Sequence, residues 1–200
     1  LNYSSHEGIV KDTDLQRYIA RLNLSKKVSE KFSFDLNMSV SRLDDNPSLD
    51  NERNNEVSGP VNSSMLYDPT AVIFNPVDDP LRPYFNSNLF NLDNPLAILE
   101  GNKKSTITNR IMTNINLNYK IIDGLTTKIN AGTDITNVRA DAHLNTFTIT
   151  GYSRNEVAGI SSLNAINNLF EWTATYNKEI NATNTINILG GITYQDFQRR

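Results

Sequence analysis

The 200-residue chain contains no cysteine, which excludes a disulfide framework, a thiolate metal site and a cysteine nucleophile. Long apolar runs are missing too. The longest, Ala71-Val72-Ile73-Phe74 and Leu96-Ala97-Ile98-Leu99, have four residues each, against the roughly eighteen that a membrane-spanning helix needs. Basic residues are not in excess: 19 Lys and Arg against 22 Asp and Glu give a net charge of −3 and a pI near 5.4. With no basic block in the sequence, no nucleic-acid partner is expected. The two histidines, His6 and His143, are too far apart for a local helical metal pair. There is no phosphate-cradling glycine loop, G-x-S-x-G elbow or dinucleotide fingerprint. Neither an enzyme nor a cofactor is expected. Leu1 stands where a start Met would, and no charged segment leads into an apolar stretch, so a fragment without its signal peptide is expected.

Neutral polar residues are what the chain has instead. It carries 29 asparagines, with 38% apolar and 20% charged residues. Its mean hydropathy of −0.45 is that of an ordinary soluble protein. A membrane β-barrel scores as low, because its apolar side chains occupy only one parity of each strand.

That alternation is present in six segments. Tyr18, Ala20, Leu22 and Leu24 share one parity, with Arg17, Arg21, Asn23 and Ser25 on the other. Phe32, Phe34, Leu36, Met38 and Val40 follow, opposed by Ser33, Asp35, Asn37, Ser39 and Ser41. Period two means a strand with one apolar face, and the short Val28-Ser29-Glu30-Lys31 link means an antiparallel hairpin. The unit recurs. Ile107, Ile111, Ile115, Leu117, Tyr119 and Ile121 run to an Asp123-Gly124 turn, and Leu125, Thr127, Ile129, Ala131, Thr133 and Ile135 return. A third hairpin pairs Phe170, Trp172, Ala174 and Tyr176 with Ile186, Ile188, Gly190, Ile192 and Tyr194, around Asn181-Ala182-Thr183-Asn184. The expected architecture is all-β: about six antiparallel strands in three repeated hairpins near 16–41, 106–136 and 168–197.

Between the hairpins lie long loops near 42–105 and 137–166, rich in Asn, Asp, Ser, Pro and Gly. Short turns at one end and long loops at the other match an outer-membrane barrel with periplasmic turns and extracellular loops. Phe32, Phe34, Tyr119 and Tyr176 lie on the apolar parity near the turns, and Tyr18, Phe170 and Tyr194 lie on it near the loops. Two aromatic belts at headgroup level are expected. The alternative is a soluble extracellular β-sandwich that binds carbohydrate or protein, in which the same aromatics pack a core.

On the polar parity, Asp35, Asn37, Asn114, Asn116, Lys128, Asn130, Asp134 and Glu171 are the candidate lumen-facing residues. Asp35, Asp134 and Glu171 share that face, but no spacing selects two of them as a glycosidase pair. Gly190-Gly191, inside a strand, marks a bend or a close backbone approach. Acidic clusters Asp44-Asp45 with Asp50, and Asp78-Asp79 with Asp93, match no known cation loop. The first long loop carries Tyr67, Phe74, Tyr84, Phe85 and Phe90 among six prolines. Tyr67, Tyr84 and Phe85 are candidate loop contacts for a ligand or partner, and a small core of the loop's own is the other reading. A short helix is expected over Leu92 to Leu99, capped by Asp93 or Asn94, with Pro95 in its first turn.

Several stretches in order resemble the barrel region of SusC-like (RagA-like) TonB-linked outer-membrane transporters of Bacteroidetes. They are Gly8-Ile9-Val10 leading into Arg17-Tyr18, Arg21-Leu22-Asn23-Leu24, Asn94-Pro95-Leu96-Ala97, Thr108-Asn109-Arg110, Tyr119 through Leu125, and the Trp172 to Tyr194 hairpin. The resemblance implies a barrel of about twenty-two strands with an N-terminal plug, energised through the TonB complex. It implies import of glycan or peptide fragments, oligosaccharides or peptides delivered by a SusD-like surface lipoprotein, across an outer membrane whose lipid touches the apolar parity. The plug domain, the signal peptide and most of the barrel are absent from this sequence.

Overall fold

The computed structural model describes residues 1–47, 59–87 and 92–200; Asp50 and Phe90 lie outside them. Its strands are β1 (Asn2–Glu7), β2 (Asp14–Lys27), β3 (Phe32–Asn46), β4 (Asn102–Ile122), β5 (Leu125–Leu144), β6 (Val157–Asn181) and β7 (Asn184–Arg199). Short helices α1 (Pro60–Leu66), α2 (Pro95–Gly101) and α3 (Ile149–Ser153) sit in the two long connections. All seven strands form one antiparallel sheet in chain order.

Local chemistry sets each short turn. In the β2–β3 link, Val28 and Ser29 donate their backbone N–H groups to the Phe32 carbonyl, and Ser29 Oγ accepts from the N–H of Lys31 and Phe32. The β4–β5 turn uses Gly124 at φ 86°, where an added Cβ would stand 2.4 Å from the Asn177 carbonyl oxygen. In the β6–β7 turn Asn181 Oδ1 accepts from the Thr183 N–H, the Thr183 hydroxyl and Asn184 Nδ2. The glycine pair in β7 marks a close approach: a Cβ on Gly191 would lie 2.6 Å from the Trp172 carbonyl oxygen.

The structure adds a seventh strand to the expected six. β1 pairs with β2 from Asn2↔Ile19 to Glu7↔Asp14, yet Asn-Tyr-Ser-Ser-His-Glu has one large apolar side chain and no alternation to betray it. The strands also run further at the loop end than the alternation does. The second long connection therefore shrinks from 137–166 to 145–156, and the first starts after Asn46. The cause is an exchange of faces. Above Ile135, β5 places Asn137, Arg139 and Asp141 on the face that was apolar, and Val138, Ala140 and Ala142 on the face that was polar. On β6, Leu163 and Ala165 join the latter face, opposite Val138 and Thr136. Ile107 and Ile160 are the exceptions.

Below that exchange the two faces stay separate across the sheet. Directly paired residues of an antiparallel ladder share a face. Leu24↔Leu36, Leu36↔Ile115, Ile115↔Ala131, Ala131↔Phe170 and Phe170↔Tyr194 form one apolar row. Trp172, Ile188 and Ile192 on this face are 40%, 59% and 63% exposed. A sandwich would cover such side chains with a second sheet, and the described strands make a single one.

The apolar band climbs obliquely. On β3 it spans Phe32 to Val40 and gives way to Arg42; on β7 it spans Ile186 to Tyr194 and gives way to Asp196. Following the ladder from Val40 through Ile111, Ile135 and Ile166 leads to Gln198, four residues past Tyr194. From Phe32 it leads through Tyr119, Thr127 and Ala174 to Gly190, four residues past Ile186. Between β3 and β7 both edges shift by four residues over four strand spacings, an average of one residue per strand; at the upper edge the row Val40, Ile111, Ile135 and Ile166 stays apolar and the shift falls at β7. A rise of ~3.3 Å for each strand spacing of ~4.8 Å inclines the strands by about 35° to the band, the tilt that closure of a barrel requires. Nine residues at that tilt give a band about 22 Å tall between its end positions, close to the ~25 Å lipid-facing belt of outer-membrane barrels.

Candidate functional site: the polar face and the loop cap

Seven of the eight polar-face candidates fall into three adjacent rows. Asp35, Asn116, Asn130 and Glu171 lie on one row, Asn37 and Asn114 on the next, and Asn118 beside Lys128 on the row nearer the turns. Side chains link strand to strand: Asn116 Nδ2 donates to Asn114 Oδ1 at 2.8 Å, and Asn114 Nδ2 donates to Asn130 Oδ1 at 2.6 Å. Asn130 Nδ2 then donates to Glu171 Oε2 at 2.7 Å. This amide chain crosses β4, β5 and β6 and ends on a carboxylate. An amide both donates and accepts, so consecutive asparagines can extend such a chain without an unsatisfied end.

Asp134, the eighth candidate, is held apart by a residue absent from the candidates. Arg110 donates Nε to Asp134 Oδ1 at 2.9 Å and Nη2 to Asp134 Oδ2 at 2.6 Å, the two-pronged geometry specific to guanidinium and carboxylate. Arg110 shares its parity with Met112 and Asn114, and in the ladder it sits opposite Thr136, one diagonal step from Asp134. The alternation gave its face, but only the β4–β5 register reveals the pair. Asp134 is thus tied to Arg110 and Glu171 to Asn130. A concavity of about 350 Å³ lies on this face, lined by Asn37, Asn114, Asp134, Leu169, Gln195 and Phe197 among others.

At the loop end the two long connections fasten to each other. Asn94 caps α2 by accepting from the Leu96 N–H at 2.9 Å, with Pro95 at the first helical position. The Asn94 N–H donates to Asn86 Oδ1, and Asn86 Nδ2 donates to the Phe147 carbonyl at 2.8 Å. Asp93 Oδ1 accepts from the Ile149 N–H, the first residue of α3, at 2.6 Å. Burial holds the Asp93 carboxyl above its ordinary range, opposed by that hydrogen bond.

The loop aromatics divide between the two readings. Tyr84 is 7% exposed, packs between Phe74 and Phe147, and donates its hydroxyl to Glu100 Oε2 at 2.7 Å. Desolvation, then the Glu100 hydrogen bond and charge, push this phenol up to about 12, while the phenol lowers the Glu100 carboxyl. Tyr84 is therefore a core residue of the loop. Tyr67 is half-buried and donates its hydroxyl to the carbonyl of Phe85, itself half-buried. Among the described rings of this loop, Phe74, at 62% exposure, is the one left in solvent. The described acids of the two clusters have separate partners: Asp44 pairs with Arg42, Asp79 accepts from the Leu81 N–H, and Asp93 holds Ile149. Among the described residues no group of His, Asp or Glu is arranged to hold a metal. His143 lies 3.4 Å from Glu156, and His6 pairs with Leu15 in the β1–β2 ladder.

The chain has similar counterparts among known proteins. No family model matches the chain. A protein of Formosa agariphila named TonB-dependent receptor P3 is 28% identical over 199 residues, which is 98% of this chain and 20% of that protein. The solved RagAB peptide transporter superposes with a TM-score of 0.67 at 18% identity, over 98% of this chain and 22% of its own. The RagAB importer in its closed-closed state gives 0.69 at 20% identity, over 92% and 20%. The chain is similar in sequence to a TonB-dependent receptor and in fold to the RagAB transporter structures. It spans about a fifth of the length of these relatives. Its seven-stranded sheet is the fold that the RagAB structures share with it.

Proposed function

We propose that the chain forms part of the wall and extracellular loops of an outer-membrane, TonB-dependent active transporter that imports peptide or glycan fragments. The observation that carries this reading is the apolar band, whose edges shift four residues against the ladder between β3 and β7, as a lipid-facing belt on tilted barrel strands does. The apolar face then meets lipid, and Asp35, Asn37, Asn114, Asn116, Lys128, Asn130, Asp134 and Glu171 meet the lumen as polar lining. The strand extension beyond the band, with its faces exchanged, stands above the membrane. The fastened loops sit at its mouth.

Import makes the partners those of the whole receptor: a SusD-like lipoprotein at the surface and the TonB complex beneath. The first long loop supports the former by presenting Met65, Val72, Ile73, Phe74, Val77 and Leu81, all more than half exposed, on a scaffold fixed by Asn94 and Tyr84. The RagAB neighbour is a peptide transporter, which favours peptides over glycans here.

The test uses the receptor that carries these strands. It is expected to need detergent for extraction, to expose a tag inserted after Asp78 on intact cells, and to hide one at Asp123. Deleting it is expected to abolish uptake of labelled oligopeptides. Partition into the aqueous phase as a folded monomer would refute the membrane reading, and retained peptide uptake alongside lost oligosaccharide uptake would reverse the substrate preference.

A further inference from the structure

The apolar face is not uniformly flat. Where the band ends on β2 and β3, a groove of about 510 Å³ opens, lined on this face by Leu1, Tyr3, Tyr18, Ala20, Val40 and Arg42. Ala20 and Val40 are direct ladder partners, so the floor is two small side chains. Tyr3 and Tyr18, also partners, form one wall, with ring centroids 4.9 Å apart. Further down the same face Leu22 pairs with Met38, and Leu24 with Leu36, so the floor continues as an apolar track along the strands. Arg42 stands at the other end, one same-face step beyond Val40. Two residues of tilted strand put it about 5 to 6 Å outside the band, which is the depth of lipid headgroups.

Arg42 donates through Nε to Asp44, at 2.9 and 3.1 Å. Both terminal guanidinium nitrogens keep no hydrogen-bond partner among the described residues. A guanidinium oriented from behind by a carboxylate, with its two-nitrogen edge unspent, is suited to two oxygens of a phosphate. An aliphatic track ending on a row where Tyr18 and Arg42, direct ladder partners, stand side by side matches an acyl chain whose head presents a glycerol or sugar linkage to the rings and a phosphate to the guanidinium.

We infer that this groove is a specific seat for a phosphorylated lipid of the outer leaflet, with one acyl chain over Ala20 and Val40 beside Tyr18 and its phosphate on Arg42. The inference rests on the outer-membrane reading above. The sheet supplies its own control. Arg139 also pairs with Asp141 on the same face, but through both Nε and Nη2, and it lies four residues beyond Ile135. If position at the band edge and the groove matter, Arg42 binds and Arg139 does not.

The experiment takes the full receptor, stripped of lipid in mild detergent and reloaded with lipid A, either phosphorylated or treated with phosphatase, and counts bound lipid by native mass spectrometry. The wild type is expected to retain the phosphorylated form at least fivefold better. Arg42→Ala is expected to remove that preference while leaving the residual binding of the dephosphorylated form, and Arg42→Lys to restore it only partly. Ala20→Phe, which fills the groove, is expected to lower retention of both forms, and Arg139→Ala to change neither. Equal retention of the two lipids by the wild type, or equal losses from Arg42→Ala and Arg139→Ala in folded receptor, would overturn the seat while leaving the transporter reading intact. A receptor that stays folded in water and carries no lipid would overturn both.

Discussion

Val40 on β3 and Tyr194 on β7 each close the apolar band of their strand, yet they stand four residues out of register. In a flat soluble sheet the apolar boundary would follow the ladder, because core depth is measured from the sheet itself. Here it follows a direction inclined by about 35° to the ladder. Something other than the sheet sets the height of the boundary, and a planar bilayer crossed by tilted strands does so.

The band places Ile129 at its midpoint on β5, where it pairs with Leu117 and Trp172, whereas Asn130 points to the opposite face. Ile129→Arg is expected to destabilise the folded receptor in lipid by about 2 to 4 kcal/mol, and Asn130→Arg by much less. Denaturant unfolding in bilayers reads the difference. Equal costs at the two neighbours would contradict the face assignment.

Much of this was legible from parity alone. Every apolar residue assigned by alternation in β2 to β7 lies on the expected face, because period two is enforced locally and each hairpin turn is short enough to fix its own register. The structure of β1 was not legible, since its residues are neither alternating nor apolar. The upper parts of β4 to β6 were missed because the environment changes along them: Arg139-Ala140-Asp141-Ala142 still alternates, but with the opposite sense. For the site, parity gave the face of Asn114, Asn130 and Glu171 but not their connection, which depends on the pairing of three strands. Which of the two readings holds for Tyr84 depends on the partner loop, where Phe147, 63 residues on, packs against the ring.

The Arg110–Asp134 pair is two-pronged but only part-buried, with side chains 46% and 24% exposed. Solvent screening holds its net worth to about 0.5 to 1 kcal/mol. A double-mutant cycle with Arg110→Ala and Asp134→Ala should return a coupling of that size. The single Asp134→Ala variant, which frees a guanidinium on the polar face, should slow uptake of cationic peptides more than of anionic ones.

Gly124 holds the β4–β5 turn at φ 86°, with the Asn177 carbonyl where a side chain would go. Gly124→Ala should cost about 1 to 2 kcal/mol from the positive φ and the contact together. The corresponding change at Gly159, which has open space around it, should cost a few tenths at most. Comparing refolding midpoints of the two variants checks the turn against the strand.

Asp93 and Glu100 give the loop cap opposite responses to pH. Burial raises the Asp93 carboxyl, so the folded cap holds that proton to a higher pH than the unfolded chain; its contribution is complete below the ordinary carboxylate range and is lost as pH rises through the folded value. The Tyr84 phenol lowers the Glu100 carboxyl, so that contribution is present above the ordinary range and is lost as pH falls through the folded value. Asp93→Asn keeps an acceptor for the Ile149 N–H and removes the charge. It should therefore leave the cap as stable or more so at neutral pH, while abolishing the decline between mildly acidic and neutral conditions. Asp93→Ala removes the acceptor and should cost about 1 kcal/mol at every pH. Amide hydrogen exchange at Ile149 and Gly151, measured from pH 4 to 7 and corrected for intrinsic rates, separates the two. A cap equally protected in Asp93→Asn and Asp93→Ala would show that this carboxyl does not fasten the loops.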